Sequence, residues 1–231
     1  MRQSKTNDII KKNDLSIDDL GAIASIFATL SPEGNMQLAS PSMVNYYKGY
    51  SNRIIYLFDD IDSRTMEAVK NIILWNLEDE QKGIPIEERK KITLLISSYR
   101  GDMDTCFSLI DVIKQSKTIV QTVNIGVAAS AAGMILLNGT KGHRYCVPMS
   151  WALLHQGSGS SGLGTYSQLE SQQANYRKLI NMLKDNILEN TNIDAKEWKK
   201  IEAKENYYYA QDQVDKGIVD HILTDYTSIL V

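Results

Sequence analysis

Ser130, His155 and Gly101 are the residues whose types and settings could do chemistry together. A serine is a weak nucleophile unless a base takes its proton and N–H donors stabilise the oxyanion that results. Ser130 lies in VNIGVAASAAGMILLNG, where an apolar strand-like run passes into a stretch with the character of a helix start. At such a point the N–H of the next residue, Ala131, has no partner inside the helix and is free to meet an oxyanion. Gly101, in the turn SYRGD after the apolar run ITLLIS, offers a second donor, because a residue without a Cβ lets backbone approach a substrate closely. The base candidate is His155, which ends WALLHQ and adjoins the connector QGSGSSGLG; His143 and His221 have no such setting. An acid would have to orient the imidazole. Each residue also has a plain structural reading: a small residue packing or capping a helix, a histidine at a strand end, a turn glycine.

Competing chemistries have little support. The chain has 231 residues, 43% hydrophobic and 23% charged, with a formal net charge of -3. That is globular material able to bury one core as a single domain. The charge is slight and negative, with no dense Lys/Arg stripe, so a nucleic-acid surface is not expected. Cys106 and Cys146 are the only cysteines, which excludes a disulfide framework and a CxxC zinc site. Neither GxxxxGK[ST] nor GxGxxG occurs, and no metal or cofactor is expected. The N-terminus MRQSKTNDIIKKND has no apolar signal-like region and no run reaches the length of a membrane span. The expectation is a reduced, cytoplasmic protein.

The elements that would position these residues alternate. Residues 1–50 read as an N-terminal extension, partly helical over Leu15–Leu30, and residues 51–231 as the organised domain. RIIYLFDDI reads as a strand, with Asp62 or Ser63 capping a helix through SRTMEAVKNIILWNLEDE. A charged loop, GIPIEERKK, leads to the strand ITLLIS and the helix MDTCFSLIDVIKQS. TIVQTVNI is a third strand, SAAGMILLNG a third helix, and HRYCVP and WALLHQG are short strands. This order predicts an α/β fold with crossover connections and a mainly parallel sheet. After the connector, TYSQLESQQANYRKLINMLKDNILENTN predicts one long helix that projects and packs on a partner. Asp194 is placed to cap a further helix, and QDQVDKGIVDHIL predicts a last helix, a glycine stop and a terminal strand.

GVAASAAG followed by RYCVPMSWALLHQGSGSSG resembles the proteolytic subunit of the Clp ATP-dependent proteases. The likeness extends from about Arg53 to Leu223, through RIIYLFDDID, ITLLISSYRGD and VDKGIVDHIL. It implies a fold of repeated β-β-α units, shared with the crotonases, with a handle region over about 157–192. It implies Ser130 as nucleophile, His155 as general base, and the backbone N–H groups of Gly101 and Ala131 as oxyanion donors. The family's triad acid lies fifteen residues before the aspartate of its closing segment, and counting back from Asp220 lands on Glu205. The connector residues Gln156, Gly157, Ser158 and Gly159 would bind an extended peptide by strand addition. The resemblance further implies self-association into stacked heptameric rings, unfolded polypeptides as substrates and a hexameric AAA+ unfoldase as partner.

The sequence departs from the family pattern around the acid and the oxyanion loop. Glu205 stands for aspartate and Asn206 for the arginine that follows it. Tyr99 replaces a proline and Arg100 a glycine, and Arg100 is placed either to obstruct substrate or to pair with Glu205. Two alternatives to an active endopeptidase follow. One is a weak or inactive ring subunit serving an active paralogue. The other is an acyl-CoA enzyme of the crotonase type, which would need a catalytic acid that is not evident near Gly101 or Ser130.

Overall fold

The computed structural model describes residues 41–158 and 163–230, so the helix expected over Leu15–Leu30 and the connector residue Gly159 lie outside the described residues. The strands are β1 (Ile54–Leu57), β2 (Ile92–Ser98), β3 (Val120–Ala129), β4 (Arg144–Cys146), β5 (Trp151–Leu154), β6 (Asn206–Tyr209) and β7 (His221–Ile222). The helices are α1 (Pro41–Ser51), α2 (Met66–Gln81), α3 (Met103–Gln115), α4 (Ala131–Leu137), α5 (Tyr166–Asn190), α6 (Ala195–Ala203), α7 (Ala210–Asp215) and α8 (Thr227–Leu230).

The parallel order β1-β2-β3-β4-β7 forms the body of the sheet. The alternate residues Ile92, Leu94 and Ile96 of β2 share one face and are wholly buried. Helices α2, α3 and α4 supply the covering layer. In α3, Cys106, Leu109, Ile110 and Ile113 recur at helical spacing and are buried, and the Asp102 side chain caps the helix by accepting from Thr105 N at 2.7 Å. Asp62 is the cap before α2, within a capping box that first closes the single 3-10 turn Ser63–Thr65.

Strand β3 carries two partners in succession. Its first half pairs with β4 and its second half with β5, both parallel. It continues through Gly126 to Ala129, beyond the expected end at Ile125, since residues without bulk pass as strand when both flanks are paired. β6, in AKENYYYA, was not expected as a strand. Tyr208 is buried while Tyr207 and Tyr209 are exposed, so the inside–outside alternation is present but hidden by three identical residues.

The long helix α5 has 25 residues, about 37 Å at the α-helical rise. Thr165 and Gln168 form its capping box, and its buried residues, Ile180, Leu183 and Ile187, all lie in its second half. The first half is largely exposed, as a projecting handle requires. A part-buried ion pair anchors the base of the handle. Arg144 meets Asp220 at 2.6 Å and also donates to Leu137 O and Asn190 O, tying the ends of α4 and α5 to β4. Burial pushes the Asp220 carboxyl up, but Arg144 and the N–H groups of Arg144 and Gly142 draw it down further, leaving it below the ordinary value.

Candidate active site

Ser130 occupies the junction between β3 and α4 with φ 58° and ψ -121°, a backbone conformation that side-chain-bearing residues rarely adopt. Holding it costs on the order of 1–3 kcal/mol and lifts the hydroxyl out of the strand-to-helix turn. The surroundings enforce the turn. Ser130 N donates to Leu153 O at 3.0 Å, extending the β3–β5 ladder by one step. In α4, a Cβ at Gly133 would lie 3.0 Å from both Ala128 O and Leu153 O, so a glycine lets the helix approach the strands that carry it. Upstream, the β2–β3 register shifts between Ile96 and Ser98. The wholly buried Asn124 manages the irregularity: its Nδ2 donates to Trp151 O and Gln213 Oε1, and its Oδ1 accepts from Gly126 N.

His155 follows β5 directly, and its Nε2 lies 2.7 Å from Ser130 Oγ. That is hydrogen-bond reach for proton transfer. The ring is half-buried, and burial lowers its pKa from the ordinary 6.5, opposed only in part by the field of Glu205. The imidazole is therefore neutral near pH 7 and able to accept a proton.

Gly101 faces the same cavity as Ser130 and Ala131. It forms a parallel bridge with Ile61 in which Ile61 N donates to Arg100 O and Asp102 N donates to Ile61 O. Those bonds use the residues on either side of Gly101, so its own N–H points away from Ile61. A Cβ at Gly101 would lie 2.5 Å from Ile61 O, which explains the glycine. Neither the Gly101 N–H nor the Ala131 N–H has a partner among the described residues. Two free donors beside one serine are what a developing oxyanion needs.

The structure does not join Glu205 to His155 by a hydrogen bond. β5 and β6 are antiparallel with Leu154 opposite Asn206, so Glu205 and His155 are the next pair beyond the ladder. The carboxylate nonetheless turns along its own strand, and Glu205 Oε2 accepts from the Tyr207 hydroxyl at 2.7 Å. The pairing of Arg100 with Glu205 is also corrected. Arg100 Nε donates to Asp60 Oδ2 at 2.9 Å, because the bridge to Ile61 brings the Asp60 carboxylate alongside. Asn206 turns into its own chain, donating to Lys200 O and Lys204 O at the end of α6. Tyr99 is exposed and packs edge-on to Trp151.

Sequence reading missed several contributors. Met103, Phe107, Met134 and Leu183 line the cavity beside Ser130 with apolar surface. They come from α3, α4 and α5, which no local pattern links. Cys106 lies in the same wall, but burial pushes its thiol up to about 12, so it is inert. In the connector, Gln156 and Gly157 are half-buried and Ser158 is exposed. Gly157 has φ 91°, and its carbonyl accepts from the Tyr176 hydroxyl of α5 at 3.3 Å.

Known proteins share this chain's sequence over most of its length. An "ATP-dependent Clp protease proteolytic subunit 1" of Bifidobacterium longum (strain NCC 2705) is 28% identical over 77% of this chain and 73% of its own length. A proteolytic subunit 2 of Thermobifida fusca (strain YX) is 29% identical over 75% of this chain and 81% of its own. A chloroplastic proteolytic subunit 3 of Arabidopsis thaliana is 28% identical over 75% of this chain, which spans about half of that protein at 53%. The sequence profile described as "Clp protease" matches residues 40–226, most of the chain including Ser130, His155, Gly101 and Glu205. The chain belongs to the Clp protease family.

Proposed function

We propose that this chain is a serine endopeptidase, the proteolytic subunit of an ATP-dependent Clp protease. The observation that carries the reading is the 2.7 Å approach of His155 Nε2 to Ser130 Oγ at a strained turn flanked by two free N–H groups. With the Nδ1–H tautomer, Nε2 takes the Ser130 proton as Oγ bonds to the scissile carbonyl carbon. The carbonyl oxygen becomes an oxyanion facing the Gly101 and Ala131 N–H groups. Collapse breaks the C–N bond, and His155 returns its proton to the leaving amine. Water then attacks the acyl-enzyme with His155 again as base, releasing the carboxylate and restoring Ser130.

Glu205 is the candidate triad acid, and its place opposite His155 supports that role once its carboxylate turns across the strands. Gln156, Gly157 and Ser158 are proposed to bind the substrate backbone as an added strand, with the positive φ at Gly157 turning the connector. The exposed first half of α5 supports association with a second copy, as the stacked heptameric rings of the family would require. An AAA+ unfoldase, unfolded polypeptides and a cytoplasmic setting complete the reading. No helix among the described residues is long and apolar enough to cross a membrane. The family assignment takes the place of the acyl-CoA alternative.

The test is cleavage of a fluorogenic peptide by the purified protein, with its mass measured in parallel. Turnover that disappears in Ser130→Ala supports the endopeptidase. A second reading, a ring subunit silenced in isolation, is favoured by the bond of Glu205 to Tyr207 in place of His155. A well-formed ring without turnover would support it.

A further inference from the structure

We propose that Tyr207 is a positioning residue that parks the Glu205 carboxylate away from His155, leaving the resting site to work through the serine–histidine pair. The proposal rests on the serine peptidase reading and adds a residue to it. Glu205 immediately precedes β6 and Tyr207 lies two residues further on, and the two side chains meet on one face. Across the antiparallel pair, Leu153 opposes Tyr207, and His155 opposes Glu205 one step beyond the ladder. The carboxylate thus has one donor along the strand, the Tyr207 hydroxyl, and faces His155 across it, which offers a second donor as the Nδ1–H tautomer. The structure gives it to tyrosine, at 2.7 Å.

The tyrosine is held in place for this. Its ring packs on Trp151 at 5.6 Å between centroids, and Trp151 packs on Tyr99 of the oxyanion loop at 6.0 Å. Replacing the hydroxyl alone leaves these ring contacts intact. The extra methylene of glutamate relative to aspartate lets the carboxylate lie along the strand at all. Around His155 the cavity neighbours from the helices, Met103, Met134 and Leu183, are uncharged. Among the described residues Glu205 is the charged group whose field reaches the ring, and the bond to Glu205 raises the Tyr207 hydroxyl pKa in turn.

The test compares fluorophosphonate labelling rates of the assembled wild type, Tyr207→Phe, Glu205→Gln and the double variant. Losing one charge-assisted hydrogen bond in an exposed setting should speed labelling of Tyr207→Phe by about threefold or more. In the Glu205→Gln background the same change should do nothing, because the tyrosine acts through the carboxylate. Titration of His155, followed by its 13C-labelled ring resonance, should move to higher pH in Tyr207→Phe as the released carboxylate pairs with Nδ1–H. Labelling that is unchanged or slower in Tyr207→Phe, or a gain that persists without Glu205, overturns the proposal. If no variant is labelled, the peptidase reading fails, and the His155 titration still decides whether Tyr207 holds Glu205. An unmoved titration then overturns the parking role as well.

Discussion

The two halves of the site are built from different material. Ser130 and His155 stand at the ends of β3 and β5, parallel neighbours in the interior of the sheet, where Ala128, Ala129 and Leu154 are buried. Glu205 precedes β6, which pairs with β5 alone, and its side chain is exposed. The interior half holds its geometry by covalent continuity with the core and can store backbone strain at Ser130. In the edge half the Glu205 side chain is exposed, and a neighbouring hydroxyl decides where the carboxylate points. Core placement fixes chemistry; edge placement leaves it adjustable.

The largest expected effect falls on the interior half. Ser130→Ala or His155→Ala should lower kcat/KM in a peptide-cleavage assay by about 10⁴-fold or more. A loss under about tenfold for either would dissolve the distinction between the halves. Next comes the oxyanion loop. Gly101→Ala forces a Cβ against Ile61 O, displacing the donor, and should cost about 10²-fold in kcat with the fold retained by circular dichroism.

The edge half should matter far less. Glu205→Gln is expected to cost less than about tenfold in kcat/KM, against roughly 10⁴ where a triad acid is fully engaged. A loss near the larger figure would show the carboxylate already serving His155 in the resting enzyme. The smallest effect is on pH. Because burial depresses the His155 pKa below 6.5, its neutral, proton-accepting form persists as pH falls through that value. Activity at pH 6.5 should keep more than about half of its value at neutral pH, and the acid limb of kcat/KM should lie lower still. A limb above 6.5 would mean that Glu205 holds the imidazolium.

Much of the interior half was legible in the sequence. ITLLIS and the Ala/Gly run around Ser130 carry local signals, apolar β-branched residues for buried strands and small residues where a helix must approach a strand. The Asp62 and Asp194 caps and the long helix were also readable, since capping and periodicity act within a few residues. The edge half was not. Counting to Glu205 located the acid along the chain, but its bond to Tyr207 and the bond of Arg100 to Asp60 depend on which side chains the folded strands bring together. The same holds for the apolar cavity wall, whose residues come from three separate helices. Asn124 gave no sign, because its role exists only once β3 meets both β5 and α7.

The central claim, that Ser130 is activated by His155 without help from the resting carboxylate, is most directly tested by covalent trapping. The assembled protein is exposed to a fluorophosphonate and the modified residue mapped by mass spectrometry, for wild type, Ser130→Ala, His155→Ala and Glu205→Gln. The account predicts one adduct, on Ser130, in the wild type and at a similar rate in Glu205→Gln, with none in Ser130→Ala or His155→Ala. An unlabelled wild type, or an adduct on another residue, would contradict it.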